Sequence, residues 1–273
     1  MKIYKIKAMF LTVLLLGCIS TFADALWQKD VRYALYDDGT AIVGDARTNI
    51  NVAIIPEKIA YKGKDYIVIG IGDGAFYGCS SLVSVVIPDS VMSIGSNAFA
   101  YCSSLASVAI PNSVTIIESG MFLRCSSLAS ATIPNSVMSI RGNAFRACSS
   151  LSSIVIPSSV TSIEPWAFNG CTGIKKIECK ATTPPACALL TFGGVNRQEC
   201  KLYVPRESIN AYKSAQEWKE FYNIETSIKD VPKSTSATVA GRYTTGGTRI
   251  ASPQKGINII RMSGGTVKKM LVK

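Results

Sequence analysis

A segment of 23 residues repeats along this chain without insertion or deletion, and this repetition limits the folds that the chain can adopt. The most similar part of each copy begins at residues 79, 102, 125 and 148, where the sequence reads CSSLVSVVIPDSV, CSSLASVAIPNSV, CSSLASATIPNSV and CSSLSSIVIPSSV. A fifth copy begins at Ile163 and then departs from the pattern. A constant period of this size is typical of a solenoid, in which each copy forms one coil that packs against its neighbours.

Each copy contains the signal of one short strand. In the first copy, Leu82, Val85 and Ile87 place apolar and β-branched residues at spacings that suit a strand buried on one side. Pro88 follows directly and ends the strand, because proline has no N–H to donate to a neighbouring strand. Stacked coils would align these strands as a parallel ladder, with neighbours about 4.8 Å apart. The predicted fold is therefore a β-rich solenoid with parallel strands over residues 71–178.

The rest of each coil carries a second set of apolar residues. Val91 and Ile94 suit a second short strand or an extended turn, and Ala98 and Phe99 suit a tight helical turn. The period places one isoleucine and one phenylalanine at the same point of every coil, at Ile71, Ile94, Ile117, Ile140 and Ile163, and at Phe76, Phe99, Phe122, Phe145 and Phe168. We expect these residues to form continuous columns in the core.

Both ends of the repeat array need a cap, since an open solenoid end would expose its core. Within residues 26–70, two β-strand signals flank Asp37-Asp38-Gly39, which predicts a β-hairpin cap followed by an irregular first coil. Within residues 179–228, apolar residues at helical spacing predict a capping helix from Ser208 to Phe221. The residues that would face the core from this helix are Ile209, Tyr212, Ala215, Trp218 and Phe221.

The first 25 residues have the layout of a secretory signal peptide. Three lysines precede an apolar run, and Ala23-Asp24-Ala25 is a cleavage site of the small-x-small type. An alternative is processing at Leu15-Leu16-Gly17-Cys18, which is similar to the lipobox of bacterial lipoproteins and would make Cys18 a lipidated N-terminus. Both alternatives predict export, with membrane attachment only through the lipid on Cys18 or through a C-terminal sorting tail.

The net charge of +11 is distributed unevenly along the chain. Residues 229–273 hold nine basic residues and one acidic residue, whereas residues 26–228 hold 17 basic and 16 acidic residues. A nucleic-acid-binding domain would carry a basic face on its folded body. The neutral body therefore argues against a nucleic-acid partner, and the basic character belongs to the tail.

The chain contains no histidine, which excludes the Ser-His-Asp and Cys-His nucleophilic sites and any histidine-bound metal. The serines of the repeats recur at fixed positions such as Ser80 and Ser103, which is typical of turn residues. The acidic residues form no recognisable catalytic pair. We therefore expect no catalytic residue, no metal site and no cofactor, and we expect that the protein is not an enzyme.

Five cysteines recur at the period of the repeat, at Cys79, Cys102, Cys125, Cys148 and Cys171. Neighbouring members of such a ladder would lie within disulfide range, but their nearly parallel Cα–Cβ bonds suit the disulfide torsion poorly. We expect free thiols that pack as small apolar groups. In the C-terminal cap, Cys179 and Cys200 would lie on neighbouring strands, and they are the preferred candidates for a disulfide.

The outward positions of the predicted strands form the candidate binding surface. Because side chains alternate along a strand, the inward Leu82, Val85 and Ile87 leave Ser84 and Val86 facing outward. The same spacing selects one pair per coil, so that the ribbon comprises Ser84, Val86, Ser107, Ala109, Ser130, Thr132, Ser153 and Val155. These side chains are small and uncharged, and we expect a partner to approach closely. In the alternative, ligands use the loops or the caps.

The repeat L-x-S-V-x-I-P-x-S-V-x-x-I-x-x-x-A-F-x-x-C resembles the leucine-rich repeat of BspA-like bacterial surface proteins, over roughly residues 30–225. The tail, residues 239–273, resembles the C-terminal sorting signals of the type IX secretion system, through Gly241-Arg242, Lys255-Gly256-Ile257-Asn258-Ile259 and Lys268-Lys269. A small β-subdomain without a sorting role is the alternative for the tail.

The resemblance implies a protein on the exterior of the bacterial outer membrane or secreted from the cell. It also implies adhesion to a protein on a host or microbial surface, so the expected partner is an extracellular protein or surface ligand. The alternative function is a structural scaffold of the cell envelope without an external ligand.

Overall fold

The computed structural model describes residues 21–226, 239–244, 249–252, 256–262 and 267–272. The chain divides into two compact units, Met1–Ser227 and Ile228–Lys273, and each is considered by itself. The first unit is a solenoid of parallel strands with a hairpin region at its N-terminal end and one short helix near its C-terminal end. This architecture confirms the predicted fold.

The predicted strands form one face of the solenoid, with one strand in each coil. Four of them hydrogen-bond in the order β11-β9-β7-β4, and four more in the order β13-β15-β17-β18. Their bounds are β4 (Val52–Ile54), β7 (Ser84–Val86), β9 (Ser107–Ala109), β11 (Ser130–Thr132), β13 (Ser153–Ile156), β15 (Lys176–Cys179), β17 (Lys201–Val204) and β18 (Asn223–Thr226). Parallel pairing in register places Ser107 beside Ser84 on one side and beside Ser130 on the other.

A second ladder runs along another side of the coils and confirms the expectation of a second short strand. It contains β8 (Ser93–Ile94), β10 (Ile116–Ile117), β12 (Ser139–Ile140), β14 (Ser162–Ile163) and β16 (Ala186–Cys187). The isoleucine column is buried along this ladder. Cys187 pairs with Ile163, so it occupies the isoleucine position of a further coil that the sequence pattern did not reveal.

The segment around each phenylalanine forms turns, and the expectation of a helical turn is wrong. Alternate N–H groups donate to the next coil, as Phe99 does to the carbonyl of Met121 at 2.9 Å and Tyr101 to that of Leu123 at 2.7 Å. A helix would direct these donors to its own preceding turn. The phenylalanine rings stack with centroids 5.1 to 5.6 Å apart and continue to Phe192 in the further coil.

The N-terminal region is a mixed sheet with strand order β1-β2-β3-β6-β5. Its strands are β1 (Phe22–Gln28), β2 (Val31–Tyr36), β3 (Thr40–Ala46), β5 (Lys58–Tyr61) and β6 (Lys64–Ile71). The predicted hairpin is present as β2 and β3, which pair in antiparallel register. β6 also pairs with β8, so the cap is continuous with the second ladder.

The expected end of the signal peptide, at residue 25, falls within β1. Asp24 on this strand accepts a hydrogen bond of 2.6 Å from the Tyr61 hydroxyl. This bond and the bond from the Ala25 N–H lower the pKa of the Asp24 carboxyl to about 2. Residues 1–20, including Cys18, lie outside the described residues, so cleavage and lipidation stay predictions.

The C-terminal cap is shorter in helix than the sequence predicts. The helix α1 comprises only Ile209–Ser214, and the 3-10 turns Arg206–Ser208 and Trp218–Glu220 flank it. The chain becomes extended at Ala215, and Glu217 adopts a left-handed φ of 66°. The cap nevertheless seals the core, because the buried Trp218 ring lies 5.0 Å from that of Phe192.

Glu217 has a specific role in this seal. In the preceding coil, the N–H groups of Asn143 and Phe145 donate to carbonyls of the coil that follows. The equivalent N–H groups of Leu190 and Phe192 donate instead to the two carboxylate oxygens of Glu217, at 2.9 and 3.4 Å. One buried carboxylate therefore replaces two carbonyls of a coil that does not exist, and Arg197 balances its charge at 2.7 Å.

The five ladder cysteines are unpaired and buried, as expected. Each thiol of Cys102, Cys125, Cys148 and Cys171 donates to the carbonyl of the phenylalanine in the preceding coil, at 3.0 to 3.1 Å. The cysteine thus combines a small apolar volume with a weak donor for a buried carbonyl. Burial raises the pKa of the Cys79 thiol to about 11 and that of Cys125 to about 12.

The disulfide proposed between Cys179 and Cys200 is not formed. Both cysteines are free. The register of β15 and β17 aligns Glu178 with Tyr203, which places Cys179 and Cys200 at opposite ends of the strand pair. Cys179 instead accepts a hydrogen bond of 3.1 Å from the Tyr212 hydroxyl on α1.

The second unit contains a four-stranded antiparallel sheet in the order β20-β19-β21-β22. Its strands are β19 (Val239–Thr244), β20 (Arg249–Ile250), β21 (Gly256–Met262) and β22 (Val267–Val272). The basic tail is therefore β-rich, and its sorting role stays a prediction.

Replacing Glu217 by glutamine is expected to lower the free energy of unfolding by about 3 kcal/mol, because it leaves Arg197 with a buried, uncompensated charge and weakens the bonds to the two amides. Urea unfolding of the full chain measures this change. The matched control is Glu207→Gln on an exposed turn of the same cap, which should change the free energy of unfolding by less than about 0.5 kcal/mol. Equal effects of the two substitutions would contradict the capping role of Glu217.

The ladder cysteines are expected to resist iodoacetamide at about pH 8 in the folded protein and to be alkylated after unfolding, because the thiolate is the reactive species. Peptide mass spectrometry under non-reducing conditions measures both states. Labelling of the folded protein at the rate of the unfolded chain, or recovery of a peptide that joins Cys102 to Cys125, would show that the assignment is wrong.

Candidate functional site

All eight residues of the predicted ribbon lie on the solvent side of the strand face. Their inward neighbours, such as Val108 and Ile154, are buried, while Val86 is 55% exposed and only Ser84 is half-buried. The alternation follows from the strand geometry, since consecutive side chains point to opposite sides of a sheet. The structure therefore confirms the orientation of these side chains, and their role in binding stays a prediction.

The ladder brings the members of the ribbon together in two groups. Ser84, Ser107 and Ser130 follow one another on β7, β9 and β11. Between β11 and β13 the strand hydrogen bonding is interrupted, and the bond from the Ser152 N–H to the Ala129 carbonyl is 3.4 Å long. The corresponding bond one coil earlier, from Ala129 to Ala106, is 2.9 Å long.

The ribbon is longer than the sequence predicts. On the N-terminal side, Val52 and Ile54 of β4 align with Ser84 and Val86, and Ile54 is 69% exposed. The only repeat signal for this strand was the Ile55-Pro56 that follows it. The strand was missed because the rest of its coil does not follow the repeat.

On the C-terminal side, the same two rows of outward residues continue across three more strands. Pairing between β13, β15, β17 and β18 extends the rows to Lys176, Glu178, Lys201, Tyr203, Asn223 and Glu225. Sequence periodicity did not find them because the spacing between coils changes after the fifth copy. The register could be obtained only from the strand pairing itself.

The extended ribbon changes in chemical character along its length. Its first part is apolar, with Ile54 beside Val86, and its middle part carries small hydroxyl groups. Its last part is charged, but the charges pair with one another, Lys176 with Glu178 at 3.6 Å and Lys201 with Glu225 at 3.3 Å. The surface thus offers apolar area and shape at one end and little net charge at the other.

The described residues offer no metal centre and no membrane helix. No group of three or more histidine, cysteine, aspartate or glutamate side chains among them is placed to hold a metal ion. None of their helices is long and apolar enough to cross a bilayer. The ribbon serines have no histidine in the chain that could act as their general base. What this surface can do chemically is bind.

Comparison with known proteins supports the repeat assignment. A family profile described as BspA type Leucine rich repeat region matches residues 65–183 in six copies. No protein in the set of curated proteins matches the chain.

Two crystal structures of bacterial leucine-rich repeat proteins have a similar fold. One is a leucine-rich repeat protein from Bacteroides ovatus, 26% identical with a TM-score of 0.53, and the match covers 66% of this chain and 55% of that one. This chain therefore corresponds to about half the length of the Bacteroides protein. The other is a leucine-rich repeat protein of T. pallidum, 25% identical with a TM-score of 0.53, covering 74% of this chain and 98% of that one.

Proteins with BspA-type repeats are typically found at the cell surface, and their solenoids are generally non-enzymatic. The recurring cysteine, phenylalanine and isoleucine columns account for the match residue by residue. Residues 65–183 of this chain are a BspA-type leucine-rich repeat region.

Proposed function

We propose that this protein is an exported binding protein, at the cell surface or secreted, that mediates adhesion or protein–protein interaction through the extended ribbon. The observation that carries the proposal is the ribbon itself, a surface of outward side chains that continues over eight strands. The proposal of export rests on the signal-peptide layout of residues 1–25 and on the usual location of BspA-type proteins.

The apolar part of the ribbon supports a protein partner. Val52, Ile54 and Val86 expose large apolar side chains on adjoining strands. Contiguous exposed apolar residues of this kind mark interaction surfaces, because covering them removes apolar area from water. The small residues that follow, such as Ser107 and Ala109, would let a partner approach the backbone of the sheet closely.

The closed ends of the solenoid favour an external ligand over a self-assembling scaffold. Trp218 and Phe221 seal one end of the stack, and the N-terminal sheet covers the other. Coils of two copies therefore cannot stack end to end through their cores. A scaffold without an external ligand remains the alternative to be separated by experiment.

Bulky charge on the ribbon is expected to abolish partner binding. The variant Ser130→Arg with Thr132→Glu places large charged groups on the small-residue part of the surface, where a partner would have to desolvate them. Wild-type protein should retain a partner from extracts of host matrix or bacterial surfaces, and the variant should lose at least about tenfold in affinity. Binding should depend weakly on salt, since the ribbon carries little net charge.

The matched control carries the same new side chains on another side of the coils, as Thr115→Arg with Asn135→Glu, both at exposed positions. It should bind the partner as the wild type does. A folded ribbon variant with wild-type affinity would show that ligands use the loops or caps. Absence of any partner that distinguishes the wild type from the ribbon variant would favour the scaffold.

A further inference from the structure

A groove of about 600 Å³ crosses four coils at the turns that precede the ladder cysteines. The residues Gly78, Tyr101, Arg124 and Ala147 occupy the same position in successive coils and line this groove. The hydroxyl-bearing residues Ser80, Ser103 and Ser126 form its second row. The ribbon, in contrast, lies on the strands that follow these cysteines, so the two surfaces belong to different parts of the coil.

The groove concentrates large side chains at backbone positions that disfavour them. The four lining positions and Gly170 all have a left-handed φ, between 59° and 76°. Glycine adopts this conformation without steric cost, whereas tyrosine and arginine do not. Tyr101 and Arg124 are nevertheless present at two adjacent coils, between small neighbours that leave them accessible. Trp166, at another left-handed position, is likewise exposed.

Aromatic rings and guanidinium groups alternate along this side of the solenoid. The exposed rings of Tyr77 and Tyr101 lie 5.2 Å apart, and the Arg124 guanidinium lies 5.6 Å from the centre of the Tyr101 ring. One coil further, Arg146 lies 5.8 Å from the Trp166 ring. We call Tyr77, Tyr101, Arg124, Arg146 and Trp166 the aromatic–arginine strip.

Arg124 is available for an anionic ligand. Its guanidinium forms no ion pair with a carboxylate among the residues that the structure describes, although Arg32, Arg47, Arg141 and Arg197 each form one. Contact with the Tyr101 ring holds the guanidinium in place without neutralising its charge. An arginine held in this way is suited to a carboxylate or a sulfate, which it can bind through two parallel hydrogen bonds.

The backbone of the groove excludes recognition by strand pairing. The N–H groups of Gly78, Tyr101, Arg124 and Ala147 all donate to carbonyls of the next coil, at 2.7 to 2.8 Å. An extended peptide would therefore find none of these donors free for its main chain. What the groove offers is a row of hydroxyls, aromatic rings and a guanidinium. These groups match a saccharide, which has hydroxyl groups at its edges and apolar C–H groups on its ring faces.

We propose that the groove and the aromatic–arginine strip form a second binding site, specific for an anionic oligosaccharide that carries carboxylate or sulfate groups. The saccharide lies across the coils, with its ring faces on Tyr77 and Tyr101 and its hydroxyls near the serine row. Its acidic group pairs with Arg124. This site is separate from the ribbon and does not rest on the protein-binding function proposed above.

The test uses the full chain and titrates it with three tetrasaccharides, namely tetragalacturonate for carboxylate, a heparin tetrasaccharide for sulfate, and maltotetraose as the neutral reference. The variants Tyr101→Gly and Arg124→Gly remove the side chains at positions where the backbone favours glycine, so the variants should fold as well as the wild type. We expect at least one anionic tetrasaccharide to bind more tightly than maltotetraose. Arg124→Gly should weaken that binding about tenfold or more.

A charge-matched pair separates specific binding from general attraction to a basic protein. Arg124→Gln and Arg206→Gln each remove one positive charge, and Arg206 is an exposed residue of the C-terminal cap. The expected result is loss of binding in Arg124→Gln and wild-type affinity in Arg206→Gln. Equal losses in the two variants, affinity within about twofold of wild type in both Arg124 variants, or no preference for an anionic tetrasaccharide would each overturn the proposal.

The same variants keep this proposal distinct from the function of the ribbon. Ser130→Arg with Thr132→Glu should retain the saccharide, and Arg124→Gly should retain the protein partner. If Arg124→Gly loses the protein partner and leaves saccharide binding unchanged, the strip belongs to the protein interface and the proposal is wrong. Preference for tetragalacturonate identifies a carboxylate ligand, and preference for the heparin tetrasaccharide identifies a sulfated one.

Discussion

Hydrogen bonds between consecutive coils are the constraint on which this structure depends. At each phenylalanine turn, alternate N–H groups donate to carbonyls of the next coil, as Phe122 does to Ala144 at 2.8 Å. This arrangement works only when neighbouring coils have the same course, which is why the 23-residue period has no insertions over the central copies. It also leaves unsatisfied donors at the C-terminal end of the stack. Because buried N–H groups without partners are costly, a cap must supply acceptors, and Glu217 does so with one carboxylate.

The same constraint separates the residues that maintain the fold from those that are free to recognise a ligand. The cysteine, phenylalanine and isoleucine columns are buried in every coil and accept little change in volume. The positions between them, on the outward side of the strands and at the corner turns, face solvent and differ from coil to coil. Both proposed binding surfaces lie at such positions. A solenoid thus presents side chains in rows about 4.8 Å apart and allows each row its own composition.

Chemistry at the cysteines shows how residue type and position act together. In the coil interior, the thiol donates to a phenylalanine carbonyl, which neither alanine nor valine could do. In the further coil, Val195 is buried where the period would place the next cysteine, and Cys187 occupies the isoleucine position instead. The change in spacing after Cys171 moves the last cysteines out of the ladder. It also explains why the proposed pairing of Cys179 with Cys200 was wrong: their strands are neighbours, but the register separates the two thiols.

The sequence by itself determined the parallel solenoid, the buried columns, the outward orientation of Ser84 to Val155 and the presence of two caps. These properties follow from periodicity and side-chain alternation, which are local and can be read from residue spacing. Only the tertiary structure decided the further coil, the full length of the ribbon, the break of the capping helix at Ala215 and the role of Glu217. The groove at Arg124 likewise required it. Each of these depends on strand register, or on contacts between residues that are distant in the chain and follow no period. Coil-to-coil packing sets such contacts, and residue spacing alone carries no signal for them.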